Sequence, residues 1–366
     1  MEWLKKVAKD LLAVSFIRRV YNFVMRGLAR LGGFNRLTST VYYFFSFLTF
    51  NREQFAVLRG RRAYYRNLGT RRSTRAELRR NVHRLEKGLL MQPRRPIFAR
   101  DYITETVEFY VAAITDFQSD PTGVDETELQ WAQNVLAEYF SAVEIGDKKI
   151  DAARALFADV SYMPSETQKV PYERDLAKKQ VSYDELLALS MQRRSVRWFS
   201  KKKVPHTLVD QALMVARQAP SACNRLPYEY KIFDEPELVK KVAGLPFGAA
   251  GYSHNIPMII VVVGKLDSYF SPRDRHGIYI DASLSAMSFM YALETLGLSS
   301  SVINWPDFEP LERKIQKTLG LKTEERPVML LAVGYADPRG KVAYSQKKDL
   351  SVLRTYNGGV APGYRD

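Results

Sequence analysis

A chain of 366 residues with 46% hydrophobic content is long enough for two domains, or for one large domain with an extension, and apolar enough to bury a core. Its single cysteine, Cys223, excludes an internal disulfide and any metal site built from cysteines. The net charge of +15 sits at one end: residues 1–100 hold 23 Lys and Arg against 5 Asp and Glu, and the remainder holds 32 against 35, so an anionic partner is expected for the N-terminal part alone.

Residues 3–30 read as an amphipathic helix. Trp3, Leu4, Val7, Leu11, Phe16, Val20, Phe23 and Leu28 recur at helical spacing, interleaved with Lys5, Lys6, Lys9, Arg18, Arg19, Arg26 and Arg30. Residues 37–50 are apolar and aromatic but too few to span a bilayer, which needs about 20. The leading segment is a poor signal peptide, because charges interrupt its apolar run. Basic residues beside Trp, Tyr and Phe suit a helix lying in the interface of an anionic membrane, so residues 1–50 are expected to form a membrane-surface segment. The alternative is a helix packing on its own domain or on a partner subunit. No recognised nucleic-acid motif is present, and a nucleic-acid partner is not expected.

Residues 51–180 read as a helical extension ending in a linker. Within Asn81–Leu89, the side chains of His83, Glu86 and Lys87 share a helix face, and Gly88 is placed to end the helix. This is either a small polar site or an ion-paired helix end packed against the next domain. Residues 101–158 carry two or three helices, and 161–180, with Pro164 and Pro171, a linker. From Val181 strands and helices alternate: a helix over 183–191 with Ser182 as N-cap, a helix over 208–218, strands over 229–233 and 257–264, a helix over 280–296, a strand over 298–303, a helix over 311–319 and a strand over 328–334. The alternation argues α/β or α+β. The histidines are scattered and make no metal-ligand pattern.

Two motifs carry chemistry. Arg193-Arg194-Ser195-Val196-Arg197 sets three guanidiniums and a hydroxyl within five residues, a grouping suited to phosphate. One helix later, Ala219-Pro220-Ser221-Ala222-Cys223-Asn224-Arg225-Leu226-Pro227-Tyr228 offers small polar groups where a helix gives way to a loop. Asp281-Ala282-Ser283 heads the long helix, and Lys347-Lys348 follows the last strand. In this order the pieces resemble the FMN-dependent nitroreductase family over residues 183 to about 355. The segment 81–89 resembles a stretch of long members associated with bacterial surface-polysaccharide synthesis.

The resemblance implies an α+β fold, a mostly antiparallel sheet flanked by helices, over 181–366, behind an all-α extension. It implies FMN at a homodimer interface. Arg193, Arg194, Ser195 and Arg197 would hold the ribityl chain and phosphate, Lys347 or Lys348 would complete the phosphate site, and Pro220, Ser221 and Asn224 would reach the flavin of the neighbouring subunit. It also implies ping-pong hydride transfer from NAD(P)H through flavin N5 to an electron-poor acceptor, with no side-chain acid, base or nucleophile. Two departures stand out: Leu226 replaces a common Gln, and Trp305 stands in a loop that often carries Gly, where it would stack on substrate or narrow the pocket. The expectation is a cytoplasmic oxidoreductase, peripheral on the inner membrane face. The alternative is a flavin-fold module without reductase activity that serves as a membrane-associated scaffold.

Overall fold

Four strands pair into one antiparallel sheet in the order β1-β2-β4-β3. Here β1 is Tyr228–Phe233, β2 Met258–Lys265, β3 Ser299–Asn304 and β4 Glu325–Gly334. The computed structural model describes residues 15–68, 75–121, 125–160, 168–175 and 180–357. The central strands β2 and β4 are covered on both faces, which is why they read as nearly unbroken apolar runs. In the β2–β4 ladder Ile260 faces Leu331, and the register shifts between Val262 and Val263, opposite Pro327. A proline is tolerated at such an irregularity because it has no N–H to give to the ladder.

Alternation along β2 divides the core. Ile259, Val261 and Val263 pack with α10 (Pro236–Ala243) and α12 (Glu309–Leu319). Met258, Ile260 and Val262 pack with α9 (His206–Ala216) and α11 (Gly277–Thr295). The helix α8 (Tyr183–Gln192) opens this α+β domain with the expected cap: Ser182 and Glu185 form a reciprocal capping box. A short α13 (Leu350–Leu353) follows the sheet. The expected elements are present within a few residues of their anticipated ends; α10 was not anticipated.

The extension is all helical among the described residues. Its elements are α1 (Ser15–Gly32), α2 (Arg36–Phe45), α3 (Phe47–Leu68), α4 (Arg75–Leu89), α5 (Ile103–Ser119), α6 (Glu126–Ala142) and α7 (Lys148–Ala158). The part of the expected 3–30 helix before Ser15 lies outside the described residues. Three helices fill 101–158, and residues 168–175 of the expected linker carry no regular element. A core of their own, including Leu78, Leu85, Ile103, Tyr110, Leu136 and Tyr139, unites α4 to α7.

Two helices tie the extension to the α+β domain. On α3, Ala56 is buried with Leu266, Tyr269 and Ile278. A Cβ on Gly60 would lie 2.7 Å from Leu266, so only glycine permits that approach. Arg52 Nε meets Glu309 of α12 at 2.5 Å. The helix α4 packs against the turn at 222–224. By contrast, every side chain of α1 before Gly32 is exposed. Around α1 at 100° per residue, Phe23, Phe16, Val20, Leu31, Val24 and Ile17 fall in one arc, and Arg18, Arg26, Arg19 and Arg30 in the opposite one. Among the described residues no helix is long and apolar enough to cross a membrane.

Candidate functional site

The arginine motif begins where α8 stops. Arg193 is the C-cap, its N–H donating to the Leu189 carbonyl at 3.0 Å, and the chain then runs extended. Val196 N–H donates to the Ser300 carbonyl at 3.0 Å and Ser200 N–H to the Tyr335 carbonyl at 2.8 Å, so the motif is stitched to β3 and to the residue after β4. Val196 and Phe199 are buried as anchors. Asn255 fixes the stretch from the side, its Oδ1 accepting from Phe199 N–H at 3.0 Å and its Nδ2 donating to the Arg197 carbonyl.

Held this way, the arginines keep unused donors. Arg193 Nε is buried without a hydrogen-bond partner among the described residues. Arg194 Nη1 makes a 3.4 Å contact with the Tyr344 carbonyl, and the Arg197 guanidinium lies 5.9 Å from the Tyr252 ring centre. Burial pushes the Glu294 carboxyl up; a hydrogen bond from Gln192 and the charge of Arg193 pull it back, which places Arg193 by the C-terminal end of α11. A buried guanidinium N–H without an acceptor is costly unless a ligand supplies one, so the donor set fits a phosphate. Lys347 and Lys348 are exposed, three and four residues beyond the Tyr344 that meets Arg194.

The second motif forms a tight turn after α9. Cys223, Asn224 and Leu226 have φ of 54°, 52° and 46°, left-handed values that cost a non-glycine residue about 1–2 kcal/mol each. Neighbours hold the turn. The Ser221 hydroxyl accepts from Leu226 N–H at 3.1 Å, so Ser221 serves the loop itself. Asp281 of α11 accepts from Ala222 N–H at 2.9 Å and from the Tyr269 hydroxyl at 3.3 Å. Burial pushes the Asp281 carboxyl up, and these two donors and Arg225 act in the other direction. Arg225 lies over the Tyr269 ring at 5.2 Å. From the extension, Arg79 Nε donates to the Asn224 carbonyl at 2.8 Å. Pro220 is exposed at the entry to the turn. A polar cavity of about 830 Å³ opens behind it, between α4, α6 and the start of β1, with Arg79, Trp131, Arg217 and Asp267 among its walls.

The two motifs do not meet within one chain. The first stands by Glu294 and the second by Asp281, so α11 separates them by about 20 Å at 1.5 Å per residue. Between them lies an apolar surface: Leu186, Leu187 and Met191 of α8, with Ile280 and Leu284 of α11, are 42–63% exposed.

Trp305, expected beside substrate, is 7% exposed and packs in the core with Leu311 and Ile315. Its indole N–H donates to Glu312 Oε1 at 2.7 Å. Glu312 in turn lies 3.6 Å from Arg326, which is 2% exposed and also bonded to Asp307 at 2.8 Å. Burial pushes the Glu312 carboxyl up, while Glu312, Tyr279 and Asp307 keep the buried Arg326 firmly cationic. The His83–Glu86 segment is a hydrogen-bonded helix surface: Glu86 contacts His83 Nδ1 at 3.2 Å and accepts from the Trp131 indole N–H at 2.9 Å, on α6 rather than on the α+β domain. Sequence reasoning passed over Arg79 altogether, and it named Asp281 without the bond that gives it a task.

The family model described as "Nitroreductase family" matches residues 191–251 and 247–335. The "Putative NADH dehydrogenase/NAD(P)H nitroreductase" of Methanothermobacter thermautotrophicus is 24% identical over 160 residues, 42% of this chain and 79% of that protein. The iodotyrosine deiodinase of Haliscomenobacter hydrossis is 25% identical over 194 residues, covering 44% and 83%. The solved structure of an FMN-dependent nitroreductase from Clostridium difficile aligns with 20% identity and a TM-score of 0.41, covering 47% of this chain and 99% of that one. Both motifs and the whole sheet fall inside the matched span; the extension and Lys347 and Lys348 fall outside it. Residues 191–335 are therefore similar to the nitroreductase family.

Proposed function

We propose that the protein is an FMN-dependent NAD(P)H oxidoreductase that works as a homodimer on an anionic membrane surface and reduces an electron-poor small molecule. The observation that carries the reading is the arginine motif: three arginines on a stretch whose backbone is pinned to β3 and to the residue after β4, one with a buried N–H that has no acceptor among the described residues. Arg193, Arg194, Ser195 and Arg197 would hold the FMN phosphate and ribityl chain, with Lys347 or Lys348 beside them, and Pro220, Ser221 and Asn224 would approach from a second copy. Bound there, FMN supplies the hydride chemistry. The chain would supply the guanidiniums of Arg193, Arg194 and Arg197, which favour negative charge.

Dimerisation is supported by the separation of the two motifs along α11 and by the exposed apolar faces of α8 and α11 between them. Membrane docking is supported by α1, whose apolar and arginine arcs are both free. A membrane-held reductase suits a lipid-linked or quinone-like acceptor, or a precursor of envelope polysaccharide. The scaffold reading retains Leu226 as its motive and loses Trp305, whose ring belongs to the core.

FMN titration of the purified protein, followed by flavin fluorescence, tests the reading. Charge-assisted hydrogen bonds are worth about 1.5–3 kcal/mol, so Arg193→Ala and Arg194→Ala should each weaken FMN roughly 10- to 150-fold. A folded wild-type protein without affinity for FMN would refute it. For the membrane, Phe23→Glu should reduce sedimentation with vesicles containing phosphatidylserine; unchanged sedimentation would remove that part alone.

A further inference from the structure

The turn at 222–226 is held from outside its own domain. Helix α4 belongs to the extension and shares its core with α5, α6 and α7. Yet Arg79 on this helix reaches the Asn224 carbonyl, 145 positions away in sequence. The guanidinium is itself aimed by two groups of α6: Glu128 takes Nη1 at 3.0 Å, and the Trp131 ring lies 5.5 Å from its centre. Trp131 is fixed in turn by Glu86, which also holds His83. The polar face of residues 81–89 therefore ends, through Trp131 and Arg79, on the left-handed turn.

A strained turn needs such bracing. Consecutive left-handed φ at Cys223 and Asn224 and another at Leu226 are kept only where the surroundings over-determine them. Asp281 holds the front of the turn through Ala222 N–H, and Arg79 holds the Asn224 carbonyl. A charged donor on that carbonyl fixes the peptide plane after Asn224, and hence the direction in which Ser221 and Asn224 present their polar groups.

We propose that Arg79 is a positioning residue for the flavin site, and that the helical extension is thereby a working part of that site. The assignment rests on the FMN reading given above. It acts through geometry: Arg79 touches the turn, and the turn touches the ligand.

Full-length wild-type, Arg79→Ala, Arg79→Lys and Arg84→Ala proteins test it. Arg84 lies on the same helix but covers the Tyr102 ring at 3.5 Å and bonds to Asn81, so its loss reports damage to the extension alone. Two readouts are taken: amide hydrogen exchange over residues 219–228, and FMN affinity with the visible circular dichroism of the bound flavin. Ala222, Asn224, Leu226 and Tyr228 all donate their N–H within or next to the turn and serve as reporters. Arg79→Ala should speed their exchange, weaken FMN by about tenfold and change the dichroism, as loss of one charge-assisted bond implies. Arg79→Lys should recover part of each effect, and Arg84→Ala should reproduce none. Unaltered exchange and unaltered FMN binding in Arg79→Ala overturn the assignment. If the wild-type protein takes no FMN, the functional reading falls, and the exchange result by itself supports or overturns the bracing of the turn.

Discussion

Replacing Glu312 by alanine should destabilise the α+β domain by about 3–5 kcal/mol, a large fraction of a typical domain's stability. Two losses contribute. The buried Trp305 indole N–H loses the acceptor at 2.7 Å, and an unsatisfied buried donor costs about 1–3 kcal/mol. The buried Arg326 loses one of its two acidic neighbours among the described residues, where its Nε and Nη1 already lack partners. Asp307, itself 44% exposed, would then be its sole ion pair among the described residues. The two losses share one side chain and do not add in full. Removing Arg326 as well, as Glu312→Leu with Arg326→Met, should cost less than Glu312→Ala alone, because no buried charge is then stranded. Urea unfolding followed by far-ultraviolet circular dichroism measures both. A Glu312→Ala protein within about 1 kcal/mol of wild type would refute the burial argument.

Other consequences follow from the packing of the extension. In Gly88→Ala the new Cβ would lie 2.2 Å from the Phe98 ring, which packs edge-on against Tyr139 at 5.0 Å. Overpacking costs about 1–3 kcal/mol and the gain in helix propensity returns at most about 1, so thermal unfolding should show a net loss; a stabilised variant would contradict the packing. Burial alone would raise the Glu309 carboxyl, but hydrogen bonds from Arg313 and Arg52 outweigh it and hold it below the ordinary range. A lowered value gives stability that is present above the unfolded value, near 4.5, and is lost as pH falls through the folded one. Glu309→Gln should therefore be less stable than wild type at pH 7 and converge with it in acid; a gap constant with pH would contradict the ion pair.

Local chemistry made much of the α+β domain legible. Ser182 and Glu185 stand at capping-box spacing, and the apolar run of β2 announces a strand covered on both faces. The helix α10 left a signal that was passed over: Pro236 at its first turn, then Val239, Val242 and Ala243 on one face. Trp305 could not be placed from its loop, because its acceptor stands a helical turn into α12 and the burial comes from the sheet. Arg79 was hidden for a stronger reason. In a stretch dense with arginine nothing local distinguishes the one that meets a carbonyl 145 positions on. The arginine motif was read as a phosphate site from residue types, and the structure adds how it is held: an extended stretch pinned by Ser300, Tyr335 and Asn255.

The most direct test of the central claim is the visible absorption spectrum of the purified protein incubated with FMN, recorded without oxygen before and after NADH or NADPH. The account expects a bound-flavin spectrum that bleaches on addition of the nicotinamide. A bound flavin that neither nicotinamide bleaches, or a folded protein that retains no flavin, would contradict it.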